Sequence, residues 1–234
     1  MSKFNKIKGA IDWIRTEHIL NKSAGETYDK IAKNSSYDNI INFETRSDAL
    51  KKLVKDIDFS NKKVLDVACG SGAFINAVID KNPRKVVGVD ISKGMLDLAR
   101  KRFEQHSNVS FVNSSFMDVI FKANSFKYIL LANASRYIPS GKEEVFFNKV
   151  KEWLKPEGYF IILSDNAFGT TLVGKLLVSI LYRLANRANT NTKTALEWKL
   201  EPELKKYFVV EKTRGVGWAW HGKAEHIAYF CRKV

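Results

Sequence analysis

The stretch 63–74, Lys-Val-Leu-Asp-Val-Ala-Cys-Gly-Ser-Gly-Ala-Phe, constrains the fold more than any other part of the chain. Residues Val64 to Val67 form an apolar strand that runs into a loop carrying Gly70 and Gly72, and a helix is predicted to open at about Ala73. Twelve residues on, Val-Val-Gly-Val-Asp-Ile-Ser gives a second apolar strand, Val86 to Val89, ending in Asp90. Glycine between a strand and a helix lets a ligand come close to the backbone, because no Cβ stands in the way. The first turn of the helix adds unpaired N–H groups. An acid at the tip of the next strand is placed to accept hydrogen bonds from a ribose diol. The two stretches together predict a site for an adenosine-containing cofactor.

The loop itself narrows the choice of cofactor. A dinucleotide fingerprint is G-x-G-x-x-G, whereas this loop reads Gly70-Ser71-Gly72-Ala73-Phe74-Ile75, with no third glycine. An acid, Asp66, stands four residues before Gly70. A carboxylate there repels a pyrophosphate and suits a cation, and S-adenosyl-L-methionine carries both a sulfonium and an ammonium. With this D-x-x-x-G-x-G run and the strand-end acid, the chain resembles the class I S-adenosylmethionine-dependent methyltransferases, and in general layout the ubiquinone/menaquinone-type small-molecule enzymes among them.

The rest of the chain divides around that motif. Residues 1–60 read as a helical N-terminal cap, with turn signals at 21–23 and 34–36. Residues 61–165 alternate apolar strands (63–68, 85–90, 109–113, 128–132, 159–164) with amphipathic helices (73–81, 93–105, 143–154), the pattern of a parallel sheet with helices on both faces. A helical insertion is expected near 166–200, then a helix near 201–206 and strands at 208–214 and 226–232. The expected division is therefore a cap over 1–60 and a catalytic domain over 61–234. The resemblance implies an α/β fold with a seven-stranded, Rossmann-like, mostly parallel sheet and an antiparallel last strand.

The resemblance also assigns residues one by one. It implies that Asp66, Gly70 and Gly72 line the methionine part of the cofactor, Asp90 the ribose and Ile91 the adenine. Ser115 stands where the family usually has an acid beside the adenine, and Phe116 supplies a backbone N–H there. Asp118 is a substitute if the loop shifts, or else a solvated loop acid. After the fourth strand, Asn133 is a candidate for the methionine moiety or the acceptor. Tyr137 is a candidate wall of the substrate pocket, or an apolar anchor. In small-molecule members the leading helices cover the cofactor, which makes Tyr28 and Arg46 further candidate contacts. Residues 153–159, Trp-Leu-Lys-Pro-Glu-Gly-Tyr, resemble a family turn and read as structural.

Methyl transfer to a hydroxyl acceptor usually needs a base or a metal, whereas an amine or carbanion acceptor can react without a strong base. Among the four histidines, His221 is the candidate catalytic group. It follows the sixth strand together with Trp218 and Trp220, which are candidate substrate contacts; an aromatic hairpin packing on itself accounts for the same residues. No metal-ligand spacing is seen. Cys69 and Cys231 do not make a disulfide framework and read as small buried hydrophobes.

Charge supplies a second clue. The formal net charge is +14, and residues 167–234 hold 12 basic against 5 acidic side chains. Within 171–187, Lys175, Ser179, Arg183 and Arg187 recur every four residues beside a broad apolar face, with no acid from 171 to 194. That is the signature of an interfacial membrane helix, of a lid over a greasy substrate, of a subunit contact, or of a buried helix with a solvated basic edge. No secretory leader and no run of roughly 18 uncharged apolar residues is seen, so the expected location is cytoplasmic, with peripheral membrane contact through 171–187. The expected partner is a small-molecule acceptor, lipid or quinone-like, and a nucleic acid is not expected. The competing readings are an RNA- or protein-modifying methyltransferase, favoured by net charge alone, and a non-catalytic cofactor-binding scaffold.

Overall fold

A computed structural model describes residues 23–33, 43–165, 200–216 and 226–234. In chain order the described elements are α1 (Ala24–Lys33), α2 (Phe43–Leu53), β1 (Lys63–Val67), α3 (Ala73–Val78), β2 (Lys85–Asp90), α4 (Lys93–Arg102), β3 (Val109–Asn113), β4 (Phe126–Ala132), α5 (Glu143–Trp153), β5 (Leu154–Asp165), α6 (Leu200–Leu204), β6 (Val209–Val216) and β7 (His226–Arg232). The seven strands form one sheet in the order β3-β2-β1-β4-β5-β7-β6. Pairing is parallel from β3 through β5, and β7 runs antiparallel to both β5 and β6. The chain builds outward from β1 in one direction through β2 and β3, then returns to the other side with β4. The C-terminal ends of β1, β2 and β4 therefore flank a switch point, the place where open α/β sheets hold ligands.

Strands covered on both faces read as continuous apolar runs rather than alternations. Successive side chains still point to opposite layers. Val64, Val86, Leu130 and Ile161 join one core with α2 and α3. Leu65, Val87, Ile129 and Phe160 join the other with α5 and α6. Asp66 shares the direction of Val64 and so faces the α2 side. On the opposite layer, Phe146, Phe147 and Trp153 of α5 are almost fully buried. Each such ring contributes about 1.5–3 kcal/mol by leaving water.

Several boundaries differ from the sequence reading. The helix expected over 73–81 is α-helical only to Val78 and then tightens into a 3-10 turn, Ile79–Lys81. Asn82 takes a left-handed φ of 52°, and Pro83 after it disfavours helical backbone at its predecessor. Strand β5 begins at Leu154, directly after α5, rather than at 159. Between the pairs Phe126↔Leu154 and Tyr128↔Tyr159 the register shifts, and the extra residues form a bulge around Pro156-Glu157-Gly158. Glu157 sits at φ 56°. Strand β6 also carries a bulge, between Val210 and Lys212. Among the described residues, no helix is long and apolar enough to cross a membrane.

Candidate active site

The tip of β1 turns through left-handed backbone. Ala68 and Gly70 have φ 54° and Gly72 has φ 90°. A Cβ on Gly72 would lie 2.4 Å from the Phe103 ring at the end of α4, so this position requires glycine for both backbone and space. Cys69 Sγ packs against Gly88 of β2, where a Cβ would approach it to 2.9 Å. Both cysteines are free and buried. Burial, followed by the Asp66 and Asp90 charges, pushes the Cys69 thiol well up, and burial pushes Cys231 up to about 12. Neither is a reactive thiolate.

Asp90 is nearly buried at the tip of β2. Its Oδ2 accepts the Gly70 N–H at 2.8 Å and its Oδ1 accepts the Ser92 N–H at 2.8 Å. The acid therefore ties the glycine loop to its own strand and retains a second lone pair on each oxygen. Burial raises its pKa, and the backbone bonds from Ser92 and Gly70 oppose the rise. Ile91 follows with 49% of its surface exposed, an apolar ledge beside the acid. Asn113 Nδ2 bonds both the Asp90 and Ile91 carbonyls at 3.0 Å, joining β3 to this edge.

Asp66 lies in a different environment. It is 1% exposed, and its Oδ2 is a buried atom with no hydrogen-bond partner. Burial and then the Asp90 charge push its carboxyl well above the ordinary range, while the Arg46 guanidinium opposes them. Arg46, on α2, has a buried Nε without a partner, and so has the buried Asn133 Oδ1 at the end of β4. Asn133 stands at φ 55° with its N–H on the Leu163 carbonyl at 2.8 Å. Unsatisfied buried polar atoms cost about 1–3 kcal/mol each. Here a carboxylate oxygen, an amide oxygen and a guanidinium N–H go unanswered around one strand junction. That donor set fits a small zwitterion with an ammonium and a carboxylate, which the methionine end of S-adenosyl-L-methionine carries.

The remaining sequence candidates fall in three places. Ser115 Oγ accepts the Met117 N–H at 3.1 Å, so the hydroxyl is engaged in its own turn and retains one lone pair and its O–H for other partners. The Phe116 ring packs at a steep angle on Phe146, centroids 5.2 Å apart, and Asp118 is exposed. Tyr28 and Tyr137 meet, with hydroxyl oxygens 3.0 Å apart and rings edge to face at 6.2 Å. Trp218, Trp220, His221 and the insertion 171–187 lie outside the described residues.

The structure adds residues the sequence reading passed over. Arg102, in the last turn of α4, donates to the Ser71 carbonyl and lies 3.6 Å over the Phe43 ring, which opens the helix carrying Arg46. Asp29 on α1 accepts from Ser92 Oγ and Gly94 N. A local signal did exist for α1: Ser23 and Glu26 exchange the two bonds of a capping box, at 3.1 and 3.3 Å.

Comparison with known proteins agrees with this geometry. Residues 64–158 match a family described as a methyltransferase domain. A demethylmenaquinone methyltransferase of Staphylococcus aureus is 30% identical over 154 residues, 62% of this chain and 63% of its own length. The chain thus spans somewhat less than two thirds of the curated relatives it matches. An S-adenosylmethionine-dependent methyltransferase of Mesorhizobium loti superposes with a TM-score of 0.60 at 16% identity, over 79% of this chain and 96% of that one. A geranyl diphosphate C-methyltransferase of Streptomyces coelicolor, solved with S-adenosyl-L-homocysteine, gives 0.59 at 12% identity, over 80% and 78%. These two likenesses concern the fold. Residues 64–158 thus match a methyltransferase domain, and the acid-flanked glycine loop and the 3-2-1-4-5-7-6 sheet give the chain the fold of its class I S-adenosylmethionine-dependent neighbours.

Proposed function

We propose that the protein transfers a methyl group from S-adenosyl-L-methionine to a small, largely apolar acceptor of lipid or quinone-like type. The observation that carries the reading is the set of unanswered buried atoms on Asp66, Arg46 and Asn133 beside the Asp90-anchored glycine loop. The cofactor supplies an activated methyl group on a sulfonium, and the protein supplies alignment and a dry site. Asp66 and Asn133 hold the ammonium and Arg46 the carboxylate. Gly70 and Gly72 let the ligand approach the loop backbone, the Asp90 lone pairs take the ribose diol, and Ile91, Ser115 and Phe116 border the adenine. Tyr28 and Tyr137 close the acceptor side as a pair. Trp218 and Trp220 are assigned to the acceptor wall and His221 to proton removal from it.

The quinone-like class is supported by the name of the Staphylococcus aureus relatives, and the apolar class also by that of the Streptomyces enzyme. The basic stripe of 171–187 supports delivery from a membrane surface. The net charge of +14 favours the competing RNA or protein acceptor. Incubation with methyl-labelled cofactor and a cell extract separates these: label in the organic phase is expected, label in RNA or protein replaces the acceptor class, and label nowhere leaves a cofactor-binding scaffold. Calorimetry should show heat from S-adenosyl-L-homocysteine and none from NAD. On the identified acceptor, His221→Ala should lower turnover with cofactor affinity unchanged; equal turnover removes the base assignment.

A further inference from the structure

Helix α1 approaches the β2–α4 turn unusually closely. Gly25, Asp29 and Ala32 fall on one helical face. A Cβ on Gly25 would lie 3.6 Å from Ile91, and one on Gly94 would lie 2.9 Å from the Ala32 Cβ and 3.3 Å from the Asp29 Cα. At this contact Asp29 Oδ1 accepts two hydrogen bonds, from Ser92 Oγ at 2.7 Å and Gly94 N at 2.8 Å. Ser92 is fully buried. Its hydroxyl also caps α4 by accepting the Met95 N–H at 3.1 Å, and its own N–H goes to Asp90 Oδ1 at 2.8 Å. Asp90 Oδ2 then takes the Gly70 N–H at 2.8 Å. An unbroken chain of hydrogen bonds thus joins α1 to the glycine loop through Asp29, Ser92 and Asp90. On the far bank, Tyr28 of the same helix meets Tyr137 beyond β4. In the sheet, β1 and its loop lie between those two banks.

We infer that Asp29 is a positioning residue for the cofactor: it seats α1 across the crevice and, through Ser92, fixes the direction of the Asp90 carboxylate. The inference rests on the reading of Asp90 as the ribose acid. The negative charge of Asp29 acts against ionisation of Asp90, so its use at this point is geometric, as an acceptor of two bonds. An amide oxygen at the same place serves equally. Coupling between two sites is reciprocal, so a ligand that grips Asp90 must also tighten α1.

The test uses S-adenosyl-L-homocysteine, calorimetry and limited trypsin digestion of the full chain. Asp29→Ala should bind about ten-fold more weakly, the scale of one net hydrogen bond, whereas Asp29→Asn should stay within about two-fold of wild type. Gly94→Ala, which pushes α1 away by its methyl group alone, should weaken binding in the same direction and carries the test if Asp29→Ala does not fold. Ligand should slow cleavage after Lys30 and Lys33 in the wild type and in Asp29→Asn, and fail to slow it in Asp29→Ala. Wild-type affinity in Asp29→Ala and Gly94→Ala, with only the melting temperature lowered, overturns the inference alone. No heat from the wild type overturns it together with the assignment of Asp90.

Discussion

The tips of β1 and β2 carry the same residue type in opposite states. Asp90 has a backbone N–H on each carboxylate oxygen. Asp66, on the neighbouring strand, is more deeply buried and has an oxygen that nothing answers. The first acid holds the loop together before any ligand arrives, and the second resists ionisation through burial, a cost that a ligand cation beside it relieves. An acid shown by motif alone does not reveal which of these it is. The difference comes from the surrounding backbone: the loop folds its N–H groups toward β2, and the face of β1 that carries Asp66 meets α2.

The comparison breaks most visibly at Asp90. Asp90→Ala leaves two backbone donors without acceptors, and at about 1–3 kcal/mol each the stability to urea should fall by about 2–6 kcal/mol. Affinity for S-adenosyl-L-homocysteine should fall by a further ~1.5–3 kcal/mol, the scale of hydrogen bonds to a charged group. An unchanged denaturation midpoint would reduce Asp90 to a ligand contact. Asp66→Asn should separate the two effects. Replacing a buried carboxyl whose ionisation burial opposes and whose Oδ2 has no hydrogen-bond partner leaves the unliganded protein as stable or more stable, while ligand affinity drops by ~1.5–3 kcal/mol. A large stability loss in this variant would mean that Asp66 already has a structural partner.

A smaller effect follows from protons. Both acids have raised pKa values in the folded protein, so the folded state keeps protons that the unfolded chain has released. Stability without ligand should therefore decline as pH rises from the ordinary carboxylate value of 3.8 toward their raised values. Ligand affinity should rise over the same window, because the ammonium favours ionised Asp66, with proton release seen by calorimetry in two buffers. Asp66→Asn should flatten the affinity profile. The smallest effect is expected at the tyrosine pair. Tyr28→Phe and Tyr137→Phe should each cost about 0.5–1.5 kcal/mol, and the double variant less than the sum of the two. Fully additive losses would show that the two hydroxyls do not support one another.

Much of the parallel sheet was legible because its strands are buried on both sides and its helices on one, which writes two distinct periods into the chain. The glycine loop was legible because Gly72 answers a steric demand that a short pattern preserves. The Asp29–Ser92 contact was not, since it joins positions 63 residues apart and leaves no period. Ser115 was legible in place, but the bond its Oγ accepts from the Met117 N–H was not, since a turn of this kind leaves no pattern in residue types. The start of β5 was hidden by Pro156-Glu157-Gly158, which reads as a turn but lies within a bulge.

The two buried thiols give the molecule a pair of internal clocks. Alkylation requires a thiolate that solvent can reach, so each cysteine reacts only when its surroundings open. Cys69 sits in the glycine loop, and its labelling rate measures how often that loop parts from β2. Cys231 sits inside β7, between β5 and β6, and its rate measures opening of the far half of the sheet. A cofactor that locks the loop would slow the first clock while leaving the second nearly unchanged, so the order in which the protein yields can be timed without adding a single probe residue.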